Sequence, residues 1–333
     1  MLTEIQTFTM TPLRSAALAG VAFALLATTI PAKAQETDWP TRTVTVVVPF
    51  AAGGNTDIMA RVASQKLAED LKQPFVVENR AGAGGAIAAN YVLQAAPDGY
   101  TIFFAAAPQI AVLPHVQKVN YDPIKDFTPV SAFGTGPFIL AISSENPAKT
   151  VAEFVASAKG KKLNYASGGT GSVSHLSGAL FVARSGIDCA HIPYKGGAPA
   201  MTALLGGQVD MYFGNAADII PFVDSGKARI IAVAADKRMS QLPDVPTVSE
   251  TYPDFSLSSW NGFLVSSKTP KAIVDKLAKY AIAAAKDPAV VDKLHKLGVE
   301  ANGTTPAEIA AQIAREQPQF DLAIKAADLK QAQ

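Results

Sequence analysis

A single cysteine, Cys189, occurs in the 333 residues. That rules out an internal disulfide framework and a cysteine-rich metal site. Four histidines leave little material for a zinc site. Neither sign of charge is in excess: 29 Lys and Arg stand against 28 Asp and Glu, a formal net charge of +1. The missing basic surplus argues against a nucleic-acid partner held by phosphate neutralisation. Charged residues make up only 17% and hydrophobic ones 49%, spread along the whole length, which excludes a disordered chain. Beyond residue 34 no stretch reaches eighteen apolar residues, so no membrane-spanning helix is expected there. GxxxxGK[ST] and GxSxG are also missing, which excludes a nucleotide P-loop and a nucleophile elbow.

The amino terminus has the order of a secretory leader. A polar stretch ending in Arg14 precedes a charge-free run of Ala, Leu, Val and Phe over 16–30, and Ala32-Lys33-Ala34 offers small residues for cleavage. Residues 1–34 are therefore expected to be removed. The leader takes Arg14, Lys33 and Glu4 with it, so the mature chain stays close to neutral. An exported protein with one cysteine suits a bacterial periplasm.

Short β-branched runs alternate with amphipathic stretches. Strands are expected over 44–49, 75–78, 100–105, 138–143, 163–166, 190–193, 211–213 and 230–234, and helices over 57–72, 84–94, 151–159, 173–185, 199–205, 271–286, 289–297 and 306–319. In the first helix Met59, Ala63, Leu67 and Leu71 form one stripe. Thr150, Thr269-Pro270, and Thr305-Pro306 with Glu308 read as helix starts. The class is α/β with mostly parallel sheets. Two extended stretches, 127–137 and 255–262, break the alternation. Read as crossings, they give a discontinuous first lobe, 35–135 plus 260–333, and a second lobe, 136–259. Two crossings make a hinge, and the cleft between the lobes becomes the place for a ligand.

Glycine-rich strand-to-helix loops carry the chemistry. In Pro49-Phe50-Ala51-Ala52-Gly53-Gly54-Asn55-Thr56-Asp57, the paired glycines turn amides outward beside a helix N-terminus. An anionic oxygen is favoured there without Lys or Arg. Thr56 or Asp57 can cap that helix. A second loop, 79–85, lacks the spacing of a dinucleotide fingerprint. Its Arg80 is read as solvated or ion-paired rather than ligand-binding. A third loop, 165–172, presents Ser167, Thr170, Gly171 and Ser172 before a helix containing His175. Imidazolium is disfavoured in a first helical turn, so His175 reads as a hydrogen-bonding or packing residue. Asn215 ends a further strand.

The segments VVVPFAAGGNTD, VVENRAGAGG, LNYASGGTGSVSHLSG, HIPYKGGAPAMTALLGGQVDM, GKARIIAVAADKR and LPDVPTVSE resemble, in order and over essentially the whole mature chain, the extracytoplasmic solute receptors of tripartite tricarboxylate transporters, the Bug family. The resemblance implies a two-lobed periplasmic binding protein of type II, a Venus flytrap, closing on a small carboxylate held mainly by backbone amides and ordered water. It places ligand contacts on Phe50, Ala52, Gly53, Thr56, Asp57, Ser167, Thr170, Gly171, Ser172, His175 and Asn215. Neighbouring loop positions Gly54, Ala83, Ala106 and Ala107 extend the set. The implied partners are a mono-, di- or tricarboxylate, or an aromatic acid, and membrane transporter subunits. The implied receptor is a monomer with no cofactor, metal or catalytic residue. The chain departs from the family pattern at 105–109, small and apolar apart from Gln109, and at Asp218, where a small hydroxyl residue is common. These departures suggest Phe50 and Phe213 as ring contacts for a bulkier or flatter ligand. Two alternatives stay open: a subunit presenting its ligand to a membrane signalling kinase, and a secreted hydrolase using Ser172 and His175.

Overall fold

The computed structural model describes residues 38–329, and the expected leader over 1–34 lies outside them. Three parallel strands open the fold: β1 (Val44–Val48) lies between β2 (Phe75–Asn79) and β3 (Thr101–Ala106). β1 is the sequence VTVVV, and its four valines are wholly buried. A strand covered on both faces needs such a continuous β-branched run. Between β1 and β2 runs helix α1 (Asn55–Leu71), which turns Met59, Ala63 and Leu67 onto the sheet. The short helix α2 (Ala86–Gln94) connects β2 to β3, and two single-turn helices follow β3, α3 (Ala107–Ala111) and α4 (Leu113–Val116).

β4 (Phe127–Ser143) is a 17-residue strand shared by two sheets. Through Pro137 it pairs antiparallel with β9 (Ser258–Ser266), which in turn pairs with β3. From Phe138 onward it pairs with β7 (Met211–Asn215) and β8 (Ala228–Ala234). The second sheet repeats the first: β5 (Leu163–Ser167) lies parallel between β6 (Cys189–Pro193) and β7. Each sheet thus has a parallel three-stranded core, extended by antiparallel strands where the chain passes between sheets. β10 (Glu300–Ala301) adds a short pairing to β4.

The helices of the second sheet are α5 (Val151–Ala158), α6 (Val173–Ser185), α7 (Gly197–Leu205) and α8 (Ala216–Asp224). The chain ends in α9 (Lys271–Lys286), α10 (Pro288–Lys296) and α11 (Pro306–Ala326). Thr150 and Thr305 cap α5 and α11 as expected, but α9 starts at Pro270 with no side-chain cap. One hydrophobic core joins Ile309, Ile313 and Phe320 of α11 to Phe154, Phe181 and Leu176. The last helix therefore packs on the second sheet's helices as well as following the first.

At the start of α11, Thr305 Oγ1 accepts from the Glu308 amide (3.3 Å) and the Glu308 carboxylate accepts from the Thr305 amide (2.7 Å). Thr305→Ala removes this reciprocal pair and is expected to lower stability by about 1 kcal/mol. A urea titration of both proteins checks it.

Candidate functional site

Five strand-to-helix junctions and two crossing strands meet around one cavity. Phe50, Gly54, Asn55 and Thr56 enter it from the β1–α1 loop. Facing them are Gly168 and Ser172 to Ser174 from the β5–α6 loop, and Gly196 and Gly197 from β6–α7. Tyr212, Asn215 and Asp218 close it from β7–α8, with Phe138 of β4 and Ser259 and Asn261 of β9. Ala106 and Pro108 complete the wall, and none of the lining residues is Lys or Arg. The cavity volume is about 40 Å³, measured as space for the centres of water-sized atoms. On that measure one water needs roughly 10–15 Å³, so only a small ligand fits this space. A larger cavity of about 260 Å³ shares Phe50 and Gly168 with it and is lined further by Ala83, Gly84, Gly169, Thr170 and the exposed Lys195.

The glycine junctions face one another across this gap. The Ala51 amide donates to the Lys195 carbonyl (2.8 Å). The Asn55 amide donates to Asp218 Oδ1 (2.7 Å). A Cβ on Gly54 would lie 3.5 Å from the Gly197 nitrogen, and one on Gly197 would collide with the Asp218 carboxylate. Glycine at 197 is thus required by close approach rather than by backbone angle.

The cap of α1 differs from expectation. Gly54 is the N-cap and makes no side-chain cap bond. The first free amide of the helix is taken instead by Asp218, 163 residues away in sequence. Thr56 turns inward and donates to Asn261 Oδ1 (2.7 Å). Asp57 turns away from the cavity: both its oxygens meet the Arg61 guanidinium at 2.9 Å, and Oδ2 accepts from the Gly53 amide at 2.9 Å. Burial works against its charge, but Arg61, Gly53 and Asn79 outweigh it and hold the carboxyl below the usual range.

Asp218 is buried and has no basic partner among the described residues. Besides the Asn55 amide it accepts from the Tyr212 hydroxyl (3.2 Å). Burial pushes its carboxyl up to about 6, against the pull of the Asn55, Tyr212 and Asn215 hydrogen bonds.

The third loop is organised by neutral histidines. The Gly171 amide donates to His175 Nδ1 (3.1 Å), and His191 Nε2 meets Ser167 Oγ (2.6 Å). The two imidazoles stack at 3.7 Å, with the Tyr165 ring 5.0 Å from His191. Burial, and then the neighbouring His191, pull His175 down to about 3, and burial pulls His191 down to about 4. Ser172 Oγ donates to the Gly169 carbonyl (2.6 Å) and accepts from the His175 backbone amide (3.3 Å), which caps α6. The hydroxyl's neighbours are therefore main-chain groups and Ser174 Oγ (2.9 Å), not an imidazole base.

Of the residues expected from sequence, Phe50, Gly54, Thr56, Ala106, Ser172 and Asn215 line the smaller cavity, and Ala83 and Thr170 line the larger one beside it. Ala52 and Gly53 are exposed on the first loop, and Ala107 is buried in the core. Ser167, Gly171, His175 and Asp57 shape the loops from behind. Arg80 pairs with Glu78 (2.6 Å) and lies over the Tyr91 ring. Phe213 is corrected: its ring packs against Phe181 and Phe255 in the core, because strand alternation turns Tyr212, not Phe213, toward the cavity. Sequence reasoning missed Asn55, Ser174, Tyr212, Ser259 and Asn261. Asn261 had a signal, a lone amide inside the apolar run WNGFLV of a crossing strand.

The family profile described as a tripartite tricarboxylate transporter family receptor matches residues 59–329. The chain is 34% identical over 283 residues to Protein BugT of Bordetella pertussis, covering 84% of this chain and 87% of that one. Among solved structures it is similar to R. palustris Rpa4515 with adipate, at 33% identity and TM-score 0.85, covering 88% of this chain and 99% of that one. It is likewise similar to MatC from Rhodopseudomonas palustris with bound malate, at 35% identity and TM-score 0.80, covering 86% of this chain and all (100%) of that one. With a two-lobed α/β fold, a cavity between facing glycine junctions and this likeness over nearly the full described length, the chain belongs to the family of tripartite tricarboxylate transporter receptors.

Proposed function

We propose that this protein is a periplasmic receptor that captures a small organic carboxylate between its lobes and delivers it to membrane subunits of a tripartite tricarboxylate-type transporter. One observation carries the reading: a cavity walled by helix N-termini, glycine amides and hydroxyls, and free of cationic side chains. Such a wall stabilises an anion through fixed dipoles. The bound adipate and malate of the two relatives support a carboxylate as ligand. The lobes are residues 35–135 plus 260–333 and residues 136–259, with β4 and the approach to β9 as the hinge. The leader over 1–34 directs export, and the receptor acts as a monomer without chemistry of its own. Phe50, Gly54, Thr56, Ser172 and Asn215 hold the ligand directly, and Gly171 and His175 fix the loop that closes on it. Charge-assisted bonds of ~1.5–3 kcal/mol each, less ordering and desolvation, correspond to micromolar or tighter binding, roughly −8 kcal/mol.

A thermal-shift screen of organic acids on the mature chain tests this. At least one carboxylate is expected to raise Tm by several degrees with single-site saturation. A protein stabilised by sugars or metal cations and by no carboxylate would overturn the reading. Loss of uptake of that acid on deletion of the gene tests delivery.

A further inference from the structure

The cavity wall is electrostatically divided. On one side lies the N-terminus of α6, where Ser172, Val173 and Ser174 reach the cavity. Helix N-termini present unpaired N–H groups and favour anions. On the other side stand acceptors. Asp218 is 6% exposed and Asn55 is 4% exposed, and both line the cavity. The Asp218 carboxylate receives hydrogens from the Asn55 amide, the Tyr212 hydroxyl and Asn215, all of them neutral donors, so among the described residues no cation offsets its buried charge. Asn55 Oδ1 is buried and has no partner among the described residues. Such an acceptor is costly to leave unmet.

The position of Asp218 also changes what the first loop can do. The Asn55 amide, the first donor of α1, points at Asp218 rather than at an incoming anion. A second ligand carboxylate on this side would meet a buried negative charge with no Lys or Arg in the wall to offset it. An ammonium would meet Asp218 and Asn55 Oδ1 together, two acceptors for its three hydrogens.

We infer that the receptor selects a zwitterion, a small acid carrying both a carboxylate and an ammonium, with Asp218 and Asn55 as the ammonium subsite and the α6 N-terminus as the carboxylate subsite. The inference rests on the carboxylate-receptor reading above and specifies its ligand class. Dicarboxylates, the kind of ligand in the adipate and malate complexes of the relatives, are then disfavoured by this chain.

The test pairs acids of matched length by isothermal titration: 4-aminobutanoate against succinate, β-alanine against malonate, and alanine against lactate. Wild-type protein is expected to bind at least one ammonium-bearing acid ten-fold or more tightly than its counterpart. In Asp218→Asn that preference is expected to fall at least ten-fold, and Asp218→Ser should behave alike. Tighter binding of a dicarboxylate or of lactate by wild type would overturn the inference while leaving the carboxylate receptor intact. An unchanged preference in a folded Asp218→Asn would overturn it as well. Binding of no acid from either column would overturn it, and if the wider organic-acid screen also failed, the receptor reading would fall with it. The wild-type comparison decides even if both variants fail to fold.

Discussion

Lowering the pH from 7 to 4.5 is expected to cost this protein several kcal/mol of stability, through two histidines. In the unfolded chain both imidazoles take up protons below about 6.5. In the folded chain His175 and His191 are held down to about 3 and about 4 by burial, so both are neutral over most of that interval. Their folded values are depressed, so the unfolded state binds more protons and stability falls as the pH falls from 6.5. At pH 4.5 each histidine stands two pH units below its unfolded value, worth roughly 2–3 kcal/mol apiece and about 5 kcal/mol together. Asp218 works the other way. Its folded value, about 6, lies above the unfolded one. Its cost to the fold grows from about pH 4, is full above about 6, and about 2 kcal/mol of it is returned on acidification to 4.5. The histidines win, and a net loss of about 3 kcal/mol remains. Urea midpoints at pH 7 and 4.5 should show it, and imidazole resonances should stay neutral down to pH 5. Titration of either ring near 6.5 would contradict the packing described here. A local consequence follows, since His175 Nδ1 must be unprotonated to accept the Gly171 amide.

Gly197→Ala is expected to abolish ligand binding, at least 100-fold, while leaving the fold standing. The added methyl would occupy the place of the Asp218 carboxylate. That carboxylate is pinned between Gly197 and the Asn55 amide, and bonded to Tyr212 and Asn215. The substitution therefore acts on closure and on the cavity more than on either sheet. Gly206→Ala on the far end of the same helix is the control: its nearest foreign atom is 3.4 Å away, and its φ of −85° suits any residue. Titration calorimetry with the acid found by screening should show binding in Gly206→Ala and none in Gly197→Ala. Equal affinities in the two variants would contradict this geometry.

The regular parts of this fold could be read from residues. The valine run of β1 and the Met59, Ala63, Leu67 stripe of α1 have one stable solution, burial against each other. The glycine loops announced themselves because few other residues let backbone approach backbone. What stayed hidden depends on contacts distant in sequence. That Tyr212 and not Phe213 faces the cavity follows from the pairing of β7 with β4 and β5. That Asp218 caps α1 requires both sheets to be in place. Helix α8 contains Pro221, and α3 is only five residues long, so neither shows a helical periodicity. Gln109 fixes α3 by accepting from the Ala106 amide (2.9 Å), a local cap, and by donating to the Gly84 carbonyl (2.8 Å), a link that no local pattern encodes.

The central claim is that main-chain dipoles and hydroxyls, not cationic side chains, grip the ligand between the lobes. A crystal structure of the protein with its tightest-binding acid tests it most directly. A carboxylate within hydrogen-bond reach of the α6 N-terminus, with Ser172 and Thr56 at the same cavity and no Lys or Arg contact, is the expected result. Density for the acid outside this cavity, or a carboxylate paired with Lys195 or Arg80, would contradict it.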